Sequence, residues 1–294
     1  MIRAAAVWTL FALAGAATAA PTLDDERNLF EWSSVAPMVV AGSSLGENGR
    51  YTELRVIRTL RGDPRADDVI RVDVKTANRM RDRLIEPKAL RLDLGQDYVL
   101  LLEGEQRGSG RPYYTLVRGV DGALELPAEG REALLHALAT FVEIQDTADD
   151  RLWWERFSRL IEDPNPALVQ TALEQFVRYR RGDPQLVPAL VPLLDHPKIG
   201  IRADSAKLIG QILERHPDPH AIPDDAAVRA ELVARATSDE APPVRVAAVE
   251  ALARYPADLV DEVLERIART DPEQQVRYAA ELVRMEHRRN GQNR

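Results

Sequence analysis

DEAPPVRVAAVEALARY, residues 239–255, is the stretch whose reading decides the fold. Asp239 and the Pro242–Pro243 pair end the preceding segment and pre-set a first helical turn. Val244, Ala247, Ala248, Ala251, Leu252 and Tyr255 then recur at i, i+3, i+4, i+7, i+8 and i+11. That is one apolar stripe on a helical period. The small residues at its middle leave room for a neighbouring helix, while Arg245, Glu250 and Arg254 lie off it.

The stripe recurs. Aligned on its first apolar position, PALVQTALEQF places it at Val169, KIGIRADSAKLIG at Ile201 and EQQVRYAAELV at Val276, so the spacings with Val244 are 32, 43 and 32 residues. A near-constant period of this size predicts stacked helical hairpins, each too thin to bury its stripe alone. The long middle spacing has a visible cause in HPDPHAIPDD, residues 216–225, a Pro-rich insertion within one repeat. Second helices are expected over 184–194, 224–237 and 257–270, and Asp163, Asp195, Asp239 and Asp271 precede the first helices as candidate N-caps. Residues 129–145 and 151–161 read as two further helices. Trp153 and Trp154 cannot share a face of the second, because neighbours are turned by about 100°. One is expected to pack into the array and the other against the β-rich part before it.

The fragments DPQLVPALVPLLDHPKIGIR, DEAPPVRVAAVEALA and DPEQQVRYAAELV resemble HEAT repeats of the short phycobilisome-lyase type, over residues 163–289. The resemblance implies an α-solenoid with a ladder between repeats, in which Arg202, Arg245 and Arg277 stand opposite Asp195, Asp239 and Asp271. Gln170 replaces the arginine in the first repeat, so the ladder should be missing or altered there. Asp204 and Ser205 stand where two alanines would be, which implies a looser contact. Arg284, His287, Arg288 and Arg289 are expected to give the last helix the polar outer face of a terminal repeat. The lyase activity in the family name does not come with the repeat.

Before residue 128 the pattern is β-like, with short apolar runs at 38–41, 51–60, 69–74, 98–102 and 113–117 and near Leu124, separated by turn signals. Residues 98–102 are nearly all apolar, as in a central strand buried on both faces. Five or six such strands predict a small antiparallel barrel or sandwich. The LRGD turn and the GQDYVLLL strand resemble netrin-like or TIMP-like modules, which are OB-type barrels, over residues 35–127. The cysteines of the secreted animal versions are absent, so no protease inhibition is implied. AGSSLG, residues 41–46, reads as a strand ending in a turn. The mixed charges of 77–94 read as a short solvated helix rather than a basic binding loop.

The expected fold class is therefore a small OB-like β-barrel (35–127) followed by an α-solenoid of HEAT-type hairpins (128–294). A linker (20–34) and a signal peptide (1–19) precede them. Arg3, the apolar run 4–16 and Ala17-Thr18-Ala19 supply the three regions of that signal. Apolar residues at 45% and charged residues at 29% of 294 suit a folded chain, and a net charge of -8 argues against a general nucleic-acid binder. The sequence has no cysteine, which excludes disulfides and thiolate metal sites. A soluble exported protein, periplasmic or secreted and not membrane-spanning, is expected.

Chemistry is hard to find. His216 and His220 are four apart, but Pro217, Pro219 and Pro223 forbid the helix that would let them share a metal. They read as an exposed polar loop, and His136 lies off the apolar face of its helix. No phosphate-binding loop, dinucleotide fingerprint or nucleophile elbow occurs. No catalytic, cofactor-binding or metal residue is assigned. The expected function is non-enzymatic: a scaffold holding a protein partner on its second helices through Arg229, Glu262, Glu265 and Arg269. Two alternatives are an envelope glycan or peptidoglycan binder using barrel loops and one of the two tryptophans, and a hydrolase with its site at the domain junction.

Overall fold

The computed structural model describes residues 29–74, 91–107, 111–117 and 122–292. The expected signal segment and most of the charged stretch 77–94 lie outside the described residues. So does Asp121 of the expected hairpin turn.

The described residues open with helix α1 (Leu29–Ser34), which falls in the expected linker, with Leu29 and Phe30 buried. Strands β1 (Met38–Asn48), β2 (Tyr51–Arg61), β3 (Val69–Val72), β4 (Asp97–Leu102) and β5 (Ala123–Glu125) follow. They form one antiparallel sheet in the order β3-β2-β1-β4-β5. Alternation sends Val39, Ala41, Val99 and Leu101 to one face. Met38, Val40, Leu54, Val56, Leu100 and Leu102 go to the other. Both faces are buried, which is why β4 after Asp97 is apolar except for the Tyr98 hydroxyl, which accepts from Asp93 N (2.9 Å).

Two expectations change here. AGSSLG does not end a strand, because β1 runs on through it with register shifts at Ala41/Gly42 and Ser44/Gly46. Gly42 permits this: a Cβ there would stand 3.0 Å from the Arg55 carbonyl oxygen. Among the described residues the sheet is also not closed by continuous ladders. Residues 113–117 stand across the open side through single bridges: Tyr114 N donates to Arg71 O (2.8 Å) and Val117 N to Leu101 O (2.9 Å).

The helical region comprises α2 (Arg131–Gln145), α3 (Asp150–Leu160), α4 (Pro166–Tyr179), α5 (Val187–Leu190), α6 (Ile199–Arg215), α7 (Asp225–Ser238), α8 (Pro242–Leu252), α9 (Ala257–Thr270) and α10 (Gln274–Gln292). Asp149 caps α3 and Asn165 caps α4 through their side chains. The expected helix over 184–194 is instead a single α-turn between two 3-10 segments. Pro188 and Pro192 lack the N–H groups that a continuous helix needs. Helices α4, α6, α8 and α10 pack in succession, with α7 against α8 and α9 against α10. The opening stripe is buried throughout, none of its residues more than 5% exposed. At the α6–α8 crossing, a Cβ on Gly210 would lie 2.9 Å from Ala251 Cα. One core runs from Val39 and Leu101 of the sheet through Leu138 and Phe141 of α2 to Ala280 of α10.

The arginine ladder exists, one repeat out of step with the sequence expectation. Arg202 makes a two-pronged contact with Asp239 (2.9 and 3.0 Å), and Arg245 does the same with Asp271 (2.8 and 3.0 Å). Each arginine thus reaches the aspartate of the next repeat. Its remaining Nη1 donates to two carbonyls of its own repeat, six and five residues upstream: His196 and Pro197 for Arg202, Asp239 and Glu240 for Arg245. Arg277 repeats this on Asp271 and Pro272. By that register the residue equivalent to Asp239 is His196, not Asp195, which pairs with Arg235 instead (2.6 Å). His196 Nδ1 accepts from Lys198 N as Asp239 Oδ1 accepts from Ala241 N. Gln170 and His196 would form the first rung. Both have lost the charge, and Gln170 donates instead to Asp204 (2.9 Å). The expected loose contact at Asp204 is therefore a hydrogen-bonded one.

The end of the array also differs. Arg288 and Arg289 are exposed, but Arg284 and His287 do not face outward: Arg284 bonds Glu265 and Glu281, and His287 lies 2.7 Å from Asp261. An apolar row of α10, Tyr278, Leu282 and Met285, also faces outward, exposed by 65%, 43% and 47%.

Candidate functional site

A concavity lies where sheet and helices meet. Arg61, at the end of β2, reaches across to α1 and α2. Its Nη1 donates to Ser33 O (2.7 Å) and Ala36 O (3.1 Å), and its Nη2 to Gln145 Oε1 (3.0 Å) and Asp146 Oδ1 (2.8 Å). Gln145 Nε2 in turn donates to Phe30 O (2.6 Å). These bonds satisfy carbonyls that the short helix α1 leaves open, and they hold Phe30 against α3.

Two adjoining clefts of about 790 Å³ and 470 Å³ result, divided by Trp153 and Tyr179, which line both. Trp153 packs edge-on to Phe30 of α1, at 6.3 Å between ring centroids, while Trp154 packs on Phe176 of α4 at 5.1 Å. The adjacent tryptophans meet each other at 4.5 Å, edge to face. Both are half-buried, and Tyr179 is 56% exposed. Arg181 lies 5.6 Å above the Trp154 ring and 3.7 Å from Asp150. Arg178 forms an ion pair with Glu31 on the rim of the larger cleft. Behind the rim, burial, opposed by the hydrogen bond from Gln170, raises the Glu174 carboxyl above its ordinary value. The nearby Asp204 and Glu31 add to the rise.

The residues expected to meet a partner are not drawn together into such a site. Glu262, Glu265 and Arg269 are exposed on α9, but Glu265 is bonded to Arg284 (3.2 Å) and approaches Arg269 (3.9 Å). Arg229 on α7 is half-buried, its guanidinium 5.8 Å from the centre of the Tyr255 ring. His216 ends α6, and His220 is exposed in the 3-10 turn Pro219–Ala221. Among the described residues no three His, Asp or Glu side chains form a group able to hold a metal, and no helix is long and apolar enough to cross a membrane. Sequence patterns single out the two tryptophans. Arg61, Arg178 and Tyr179 carry no local signal, since the cleft gathers residues from positions 30, 61, 145, 153 and 179.

No protein-family model matches the chain, and no curated protein sequence matches it significantly. Among solved structures, the crystal structure of an engineered protein from the Northeast Structural Genomics Consortium is similar at 18% identity and a TM-score of 0.41. It covers 54% of this chain and 75% of its own. A likeness at that level carries no argument about fold or function.

Proposed function

We propose that the protein is an exported, non-enzymatic scaffold that holds an extended segment of a protein partner in the junction clefts. In this reading the helical region is a HEAT-type solenoid, supported by rungs that repeat with the same six- and five-residue offsets. The sheet with its bridging segment 113–117 is an incompletely laddered OB-like barrel. Export rests on the residues of segment 1–19 alone.

The carrying observation is the half-exposed ring cluster Trp153, Trp154 and Tyr179, flanked by Arg178 and Arg181. Aromatic residues and arginine dominate the anchor points of protein interfaces. A glycan reading needs an open, flat ring face. Here Arg181 lies over one Trp154 face, and Trp153 lies 4.3 Å from Phe157, centroid to centroid. The test is selection of displayed peptides on the full chain, repeated with Tyr179→Ala. Selected peptides should lose tenfold or more in affinity on that exposed-site change, while sacculi and glycan arrays retain no protein. Peptides indifferent to Tyr179→Ala and Trp154→Ala, or pelleting with sacculi, would overturn the proposal.

A further inference from the structure

Three arginines stand at equivalent places in the stack, and only two have their carboxylate. Arg202 and Arg245 each use Nη1 on two carbonyls of their own repeat and turn the Nε–Nη2 edge to the aspartate of the next. Arg277 makes the same Nη1 bonds, to Asp271 O (2.7 Å) and Pro272 O (2.9 Å), so its guanidinium is posed alike. Among the described residues no carboxylate meets its other edge.

The same helix carries an apolar row. Tyr278 and Met285 are equivalent, at the 32-residue spacing, to Val246 of α8 and Ala253 directly after it. Those two are half-buried against the core, whereas Tyr278 and Met285 are 65% and 47% exposed; Leu282, between them and 43% exposed, matches the exposed Glu250 and so borders this face. An open rung and an uncovered stacking face thus coincide at the end of α10.

We infer that this face is an end-on docking site for a partner protein's amphipathic helix that is led in by an aspartate. The carboxylate takes the two donors of Arg277, as a planar fork suits, and the apolar side of the helix covers Tyr278, Leu282 and Met285. A second copy of the chain is a poor occupant. Two-fold pairing of α10 with itself would set Arg277 against the half bearing Arg284, Arg288 and Arg289, which stays net positive with Glu286 counted, and like charges disfavour it. The site is separate from the junction clefts, so Tyr179→Ala leaves it intact and the two proposals fail independently.

The chain itself supplies a probe, since residues 239–255 combine an aspartate that accepts an arginine with an apolar helix. A fluorescent peptide of that sequence, bridged to hold the helix, is titrated onto the full protein by anisotropy. Saturable binding is expected, weakened at least tenfold by Asp239→Asn in the peptide or by Arg277→Gln in the protein. Because Arg277 also bonds its own backbone, the exposed Met285→Glu serves as a second variant, with the same loss and an unchanged circular dichroism spectrum. Absence of binding at millimolar peptide, equal affinity for the Asp239→Asn peptide, indifference to Met285→Glu, or dimerisation through α10 in sedimentation would each overturn the proposal.

Discussion

The rungs between repeats are ion pairs taken out of water. The side chains of Arg202 and Asp239 are 7% and 3% exposed, and those of Arg245 and Asp271 are 7% and 5%. Removing one member leaves the other charge buried and alone. Asp239→Ala should therefore cost about 3–5 kcal/mol in urea unfolding, and a cost under about 1 kcal/mol would show that the rung is incidental. The arginines are legible in the sequence, each directly after the first apolar residue of a stripe (Ile201, Val244 or Val276), but their partners are not. Asp195 sits one position off the true register, where His196 stands. The missing first rung can be restored, because Gln170 and His196 are 26 residues apart, like Arg245 and Asp271. In a double-mutant cycle, Gln170→Arg and His196→Asp should couple favourably by about 1 kcal/mol, and an additive result would refute the assigned register. His196 is also a source of acid sensitivity. Burial, then Lys198 and Arg202, lowers its folded-state value, so the neutral ring that accepts from Lys198 N persists. The unfolded chain takes up the proton first, near the ordinary histidine value of about 6.5. Stability from this residue is present above that value and is lost as the pH falls from it toward the lower folded value. His196→Asn, which keeps an acceptor, should flatten the stability profile between about pH 7.5 and 5.5, measured by urea midpoint.

At the scale of elements, what periodicity could foresee was the long amphipathic helices, because burial of one stripe sets their phase. It failed at α5 and β1, where backbone chemistry overrides the pattern. Residues 186–194 keep an apolar spacing suited to a helix, yet prolines at 188 and 192 break the ladder of N–H donors. Residues 41–46 look like a turn because glycine and serine favour turns. In the folded chain Ser44 Oγ donates to Leu92 O (2.8 Å), and β2 pairs alongside, so the strand continues. Small residues matter most at the α6–α8 crossing. Gly210→Ala would push a methyl group to 2.9 Å from Ala251 Cα and 3.1 Å from its Cβ, against backbone that cannot rotate away. A loss of about 1–3 kcal/mol is expected despite alanine's better helix propensity. A rise in melting temperature would show that the two helices can part without penalty.

For the whole molecule, composition shifts mark a boundary near residue 128, but packing does not respect it. Leu134, Leu138 and Phe141 of α2 belong to the same core as Val39, Val99 and Leu101 of the sheet and Phe157 and Leu168 beyond. Arg61 of β2 adds direct bonds to Gln145 and Asp146 at the end of α2. Sequence patterns could not disclose this, since the two faces of an amphipathic helix do not say which neighbour covers them. Each large apolar side chain fully buried is worth about 1.5–3 kcal/mol. Uncovering several on α2 therefore rivals a typical total stability of about 5–15 kcal/mol. Sheet and adjoining helices should accordingly unfold together. Far-ultraviolet circular dichroism follows the helices, and tryptophan fluorescence follows the junction, where Trp32, Trp153 and Trp154 pack on the common core. The two signals should share one midpoint in urea, and a fragment beginning at residue 128 should bind a hydrophobic dye and melt well below the full chain. Separate midpoints, or a fragment as stable as the full chain, would mean that the shared core contributes little and that the junction clefts lie between independent bodies.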